Sequence, residues 1–211
     1  LGDVYKRQDK DITKKILQLA GVTTTRYEVV TPMTSEQFTY QQLSDELGET
    51  LFVKPANQGS SVGIHKVENE EDYREGIRDA FRYDSKVLVE EAIEGPEELE
   101  ISVLGNHHPI VSKVGAIKVP KSDAFYTYDN KFVDASHVEF DVPVDIPASL
   151  SEEITKMGLA TYQALGLKGM ARIDYLVSQD GKPYVSEVNT LPGFTNISLY
   201  PQLFAASGIS Y

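Results

Sequence analysis

The chain of 211 residues contains no cysteine. That removes disulfides, thiolate zinc sites and a cysteine nucleophile together. No apolar run approaches membrane-spanning length, and the first residues are not those of a signal peptide, so a cytoplasmic protein is the simplest reading. Positive charge is scarce too, with 20 Lys and Arg against 32 Asp and Glu and a formal net charge of −12. Such a balance argues against nucleic acid or an anionic membrane surface as the main partner. It also requires any phosphate site to be built from locally placed lysines, arginines or metal ions. The chain has no internal repeat, no low-complexity tract and no GxxxxGK[ST] loop. What remains is the composition of an ordinary globular protein, long enough for one large domain or two small ones.

The densest chemistry lies between Arg172 and Gly193. Two β-rich apolar runs flank Asp180-Gly181, a dipeptide suited to a two-residue type I′ turn. With that turn Val177 faces Tyr184, Asp174 faces Glu187, and Arg172 faces Asn189. Alternation along each strand then puts Arg172, Asp174, Glu187 and Asn189 on one face. Two carboxylates directly opposite each other repel unless a cation neutralises them. The donors offered are oxygens, which favours a hard ion, Mg²⁺ or Mn²⁺, carrying a nucleotide phosphate. A solvated hairpin face with exposed charges is the other reading, and the hairpin alone leaves both open.

Elsewhere the pattern is mixed α and β. A helix is expected from Asp9 to Gly21, with Ile12, Ile16, Leu17 and Leu19 on its apolar face and Lys10 at its start. A strand follows at Thr25–Val30. Thr34 and Gln37 suggest a capping box for a helix running to Leu47, stopped by Gly48. Between strands Leu51–Lys54 and Ile64–Val67 runs AlaAsnGlnGlySerSerValGly, residues 56–63. It reads either as a phosphate-cradling flap or as a plain polar hairpin loop. Asn69 should cap a helix burying Tyr73, Ile77, Ala80 and Phe81. Strands are expected at Lys86–Glu91, Glu98–Leu104 and Ile110–Val114, with His107 and His108 solvated in the turn. Residues 117–147 lack a period, as in a functional lid, with Lys131 the cation near its centre. Ser149 and Glu152 suggest a capping box for a helix through Leu165, ended by Gly166. After the hairpin, residues 190–201 show turn chemistry. A modest boundary near residue 90 separates a small half from a larger one, with a plausible cleft at their junction.

Taken together, ValLysProAlaAsnGlnGlySerSerValGly (53–63), ArgIleAsp (172–174) and GluValAsnThrLeuProGly (187–193) resemble the ATP-grasp D-alanine–D-alanine ligases. The resemblance runs from Asp9 to Tyr211. It implies an α+β (α/β) ATP-grasp fold with two subdomains of mainly antiparallel sheet and flanking helices. Residues 1–8 would be a leader outside the family, 9–90 the small central subdomain, and 91–211 the large C-terminal subdomain, incomplete at its end. It further implies ATP-dependent joining of two D-alanine molecules through an acyl phosphate, for peptidoglycan synthesis. By the resemblance, Lys10 and Lys54 hold ATP phosphates, and Gly59, Ser60 and Ser61 form the flap over them. Glu90, Glu91, Ala92 and Ile93 read adenine, Glu98 binds ribose, and Lys131 contacts the γ-phosphate from a mobile loop. Arg172 stabilises the acyl-phosphate and tetrahedral species. Asp174, Glu187 and Asn189 hold two Mg²⁺ or Mn²⁺ ions. Gly193 supplies an oxyanion amide, while Ser198 and Leu199 bind the second substrate's carboxylate. A homodimer is expected of the full-length protein.

Two departures stand out. The family's N-terminal domain, which contributes to the first D-alanine site, is missing, as is the final helix, so the chain reads as an internal fragment with doubtful activity alone. Phe132 occupies the position of the usual tyrosine after the mobile-loop lysine and cannot donate to Ser60. It resembles members that use D-lactate as acceptor, with a neutral packing substitution as the competing reading.

Overall fold

The computed structural model describes residues 9–59, 61–118 and 139–211. Two antiparallel sheets organise them. The first has four strands in the order β1-β4-β2-β3, formed by β1 (Tyr27–Val30), β2 (Leu51–Pro55), β3 (His65–Val67) and β4 (Val87–Glu91). On it lie α2 (Tyr40–Leu47) and α3 (Glu70–Ala80), which enclose a core of Leu43, Leu51, Val53, Tyr73, Ile77 and Val89. Asn69 Oδ1 accepts from Asp72 N at 2.9 Å and starts α3 as expected. The capping box of α2 is Thr39 with Gln42. Thr34 instead precedes a 3-10 turn at Ser35–Gln37 and makes no side-chain cap, so the helix starts later than its sequence signature suggests.

The second sheet has six strands. β5 (Glu97–Leu104), β9 (Met170–Val177) and β10 (Pro183–Asn189) form one side, and β7 (Gly115–Lys118) and β8 (Glu139–Asp141) extend the other. The short β6 (Ile110–Val111) pairs with β5, so the run expected through Val114 is interrupted after two residues. β8 and the last two residues of β7 lie inside the stretch that lacked a period, because strands of three or four residues carry too few alternations to register. α4 (Ala148–Ala164) buries Ile154, Gly158, Thr161 and Tyr162 against this sheet. Its N-cap is Pro147 with no side-chain bond, in place of the Ser149 box. Gly158 permits that packing. A Cβ there would fall 2.1 Å from Ile101 Cδ1 and 2.9 Å from the Tyr175 hydroxyl. Gly158→Val should therefore destabilise the protein by about 3 kcal/mol, read as a lower urea midpoint at unchanged slope.

α5 (Leu199–Ala206) was hidden in apparent turn chemistry. Leu199, Tyr200, Pro201, Leu203 and Phe204 are all buried, so no amphipathic stripe announces it, and Pro201 sits in the first turn, where no backbone donor is needed. The Tyr200 hydroxyl donates to Val103 O at 3.1 Å and anchors α5 on β5.

α1 (Lys10–Leu19) connects the two sheets, and its faces differ from the apolar pattern. Its buried residues are Asp11, Thr13, Lys14 and Leu17, whereas Leu19 is 90% exposed and Ile12 38%. Leu17 enters the core of the large sheet. Lys10 N donates to Ala56 O at 3.0 Å, and the chain after α1 meets β10 through Val185 N to Thr23 O at 3.0 Å. Hydropathy could not foresee that one face of this helix would meet charged partners. Among the described residues no helix is long and apolar enough to cross a membrane.

Candidate functional site

The β9–β10 hairpin is built differently from the two-residue turn expected. Gly181 N donates to Ser178 O at 2.8 Å and Gly181 has φ 83°, a type I turn followed by a left-handed glycine that makes a three-residue loop. Near the turn the register is therefore displaced by one, and Val177 faces Pro183 rather than Tyr184. An irregularity between Val185 and Glu187 restores it. Beyond that bulge Glu187 faces Asp174 and Asn189 faces Arg172, as the sequence suggested.

The third strand adds a partner that hairpin reasoning missed. On β5, Glu100 faces Asp174 and Ser102 faces Arg172. Glu187, Asp174 and Glu100 thus form a row of carboxylates across three adjacent strands, an arrangement that repels itself without cations. Arg172 supplies one. Its Nε lies 2.8 Å from Asp174 Oδ1 and 2.8 Å from Glu100 Oε2, and its Nη2 donates to Asp174 Oδ2 at 2.8 Å. Burial would favour the neutral guanidine, but Asp174, Glu100 and Glu187 outweigh it and raise its proton affinity. Asn189 Nδ2 donates to the same Asp174 Oδ2 at 3.1 Å. The signal for Glu100 was the alternation of Glu98 and Glu100 on β5. What it lacked was the knowledge that β5 neighbours β9.

A cavity of about 250 Å³ opens beside this row. Lys10, Asn57, Gln58 and Gly59 line one wall, and Glu187 and Asn189 line the other. The Lys10 ammonium donates to Gln58 O. Burial and the charge of Lys54 lower its pKa, and Glu187 opposes that shift. The donor set facing the cavity is oxygen only, which suits a hard divalent cation. Among the described residues no three acidic or histidine side chains converge on a point, and both Asp174 oxygens are held by Arg172. A cation at Asp174 therefore needs Arg172 to release it while keeping Glu100.

Against the cavity, which Lys14 also lines, lies a buried charge cluster. Glu90 Oε2 accepts from Thr25 Oγ1 at 2.7 Å and meets the ammonium groups of Lys54 at 2.7 Å and Lys14 at 3.1 Å. Glu90 Oε1 is buried without a hydrogen-bond partner among the described residues. Burial alone would push the Glu90 carboxyl up, but the two lysines pull it down to about 2. Lys14 goes down to about 8, because burial outweighs a carboxylate it must share with Lys54.

The model of the D-ala D-ala ligase C-terminus matches residues 16–211. The chain belongs to this family. It is 64% identical over 203 residues to a D-alanine–D-alanine ligase of Levilactobacillus brevis, covering 96% of this chain and 53% of that protein. A second D-alanine–D-alanine ligase, from Lactiplantibacillus plantarum, is 61% identical over 96% of the chain and 55% of its own length. The chain thus spans about half the length of these curated relatives. Among solved structures, the D-alanyl-alanine synthetase A from Vibrio cholerae superposes with TM-score 0.85 at 30% identity, over 98% of this chain and 62% of that one. The VanG D-Ala:D-Ser ligase from Enterococcus faecalis gives 0.84 at 33%, over 96% and 58%. The architecture is the ATP-grasp fold in the α+β class.

Lys54 is directed at Glu90 and does not line the cavity. Glu91 accepts from Arg26 N and Nε at 2.7 Å each, and Ala92 N donates to Thr50 O at 3.1 Å. Ile93 is half-buried, and Glu98 faces Leu176 on β9. Ser61 has φ 61° in the 56–63 loop, where Val62 N returns to Gly59 O at 3.2 Å. Gly193 and Ser198 are adjacent, since a Cβ on Gly193 would stand 3.0 Å from Ser198 Oγ. Leu199 begins α5 and is buried. Ser60, Lys131 and Phe132 lie outside the described residues.

Proposed function

We propose that the natural protein joins two D-alanine molecules with ATP, through a D-alanyl phosphate, and acts in the cytoplasm in peptidoglycan synthesis. The observation that carries the reading is the row Glu187–Asp174–Glu100 with Arg172 across it, whose Glu187 end faces Lys10 over the cavity, in a chain matched to the family over residues 16–211. In this reading the small and large sheets are two subdomains, and the nucleotide binds between them. Asp174, Glu187 and Asn189 are the residues that would hold two Mg²⁺ or Mn²⁺ ions, which supply charge neutralisation to the phosphates.

The protein's own groups then have distinct tasks. Lys10 and Lys54 orient phosphate oxygens, and the 56–63 loop covers them and keeps water from an acyl phosphate that would otherwise hydrolyse. The buried, unpartnered Glu90 Oε1 supports a role in accepting an N–H from the nucleotide. Arg172 is placed to meet negative charge developing at the reacting carbon, an electrostatic rather than proton-transfer role. The adjacent Gly193 and Ser198 support the positions assigned to the oxyanion amide and the second carboxylate. The acceptor in this reading is D-alanine. The names of the relatives do not favour the D-lactate acceptor suggested by Phe132.

The test is D-alanine-dependent ADP release from ATP by the natural full-length protein in the presence of Mg²⁺. Release that requires D-alanine is expected, and its absence would reject the assignment.

A further inference from the structure

Lys14 has no task in the reaction just described, yet it is 3% exposed and points at the counter-ion of a phosphate lysine. Two ammonium groups share one carboxylate, with Lys54 and Lys14 both on Glu90 Oε2. Lys14 is further held by Thr25 Oγ1 and by Thr25 O at 3.2 Å, and its ammonium stands 5.0 Å from the centre of the Tyr27 ring. The cluster therefore carries a net charge of +1. Without Lys14 the sum is zero, because Lys54 alone would neutralise Glu90. Lys14 also stands one helical turn after Lys10 on α1, so its bond to Glu90 on β4 ties the helix that carries Lys10 to the sheet that carries Lys54.

We infer that Lys14 is a positioning residue for nucleotide binding: by sharing Glu90 it leaves the charge of Lys54 uncompensated for phosphate and fixes Lys54 relative to Lys10. This rests on the nucleotide-binding reading given above. In a chain of net charge −12 a local surplus of one positive charge is consequential. The Lys14 side chain lines the same cavity as Lys10, and its ammonium is engaged by Glu90, Thr25 and Tyr27, which makes it a source of positive charge beside the nucleotide.

The experiment is titration calorimetry of Mg²⁺-ATP binding to the natural full-length protein and three variants, each first checked by thermal melting. Lys14→Met should weaken binding by about ten- to fiftyfold, the effect of one unit charge at short range in a partly screened site. D-alanine affinity should be unchanged. Lys14→Arg should bind nearly as wild type does. Adenosine, which offers no phosphate, should bind Lys14→Met as it binds wild type, whereas a packing role for Lys14 weakens adenosine and Mg²⁺-ATP alike. If Lys14→Met does not fold, Lys14→Gln, which keeps a polar head toward Thr25 without the charge, decides in its place: a loss confined to Mg²⁺-ATP supports the inference, and an unchanged affinity or an equal loss for adenosine overturns it. Wild-type protein that binds no Mg²⁺-ATP overturns the nucleotide reading itself. Wild-type binding with Lys14→Met unaffected overturns only the role of Lys14.

Discussion

Replacing Arg172 by methionine is expected to lower kcat of the full-length protein by about 10²–10³-fold, the usual cost of losing a preorganised donor aimed at developing charge. Arg172 keeps the buried Glu100 at 2.8 Å when a cation takes Asp174, so one carboxylate still directs it when charge appears beside it. The same substitution leaves Glu100, 3% exposed, next to Asp174 without their shared cation. A loss of stability should therefore accompany the loss of activity. Arg172→Lys separates the two effects. It retains a cation for the carboxylates but offers no planar fork to the oxygens on which charge develops. Its melting temperature should lie close to wild type while kcat stays low. Steady-state kinetics beside thermal melting checks this, and a kcat within threefold of wild type for Arg172→Met would exclude a role at the reacting centre.

The second large effect concerns the fold. Glu90→Ala should destabilise the protein by about 3–5 kcal/mol, because it strands the buried ammonium groups of Lys14 and Lys54 without a counter-ion. Urea unfolding measures it, and pairing Glu90→Ala with Lys14→Met should return part of the loss by removing the stranded Lys14 charge. The pH dependence follows from the same cluster. The Glu90 carboxyl titrates at about 2 in the folded protein against an ordinary 4.5, so between those values the unfolded chain binds more protons. Its contribution is complete above pH 4.5 and is lost as pH falls toward 2. Lys14 is lowered from 10.5 to about 8, so there too the unfolded chain binds more protons between the two values and stability rises with pH. Unfolding curves across both windows should show these slopes, and Glu90→Gln should flatten the acidic one.

The hairpin shows how far the sequence reached. Asp174 opposite Glu187 and Arg172 opposite Asn189 were readable from β-alternation about a turn, although the turn type was not. The loop has three residues instead of two, and the bulge at Ser186 cancels the displacement. Two local irregularities of one residue each leave the distant pairing intact, and neither has a hydrophobic signature. Asn69 as a helix cap and Gly48 and Gly166 as helix ends were legible because they depend on residues within one turn.

What the sequence by itself determined is the chemical inventory: an oxygen donor set on one hairpin face, few but well-placed lysines, and blocks specific enough to mark the ATP-grasp ligases. The tertiary structure decided which long-range neighbours those groups have. Only strand order places Glu100 of β5 beside Asp174 and gives Arg172 a second carboxylate. Only the packing of α1 across both sheets turns Lys14 from an apparent surface lysine into the partner of Glu90, 76 positions later in the chain. Local periodicity reports which face of an element is apolar. It does not report that a buried face can be held by charge, because the compensating charge lies on a strand that sequence distance does not reveal.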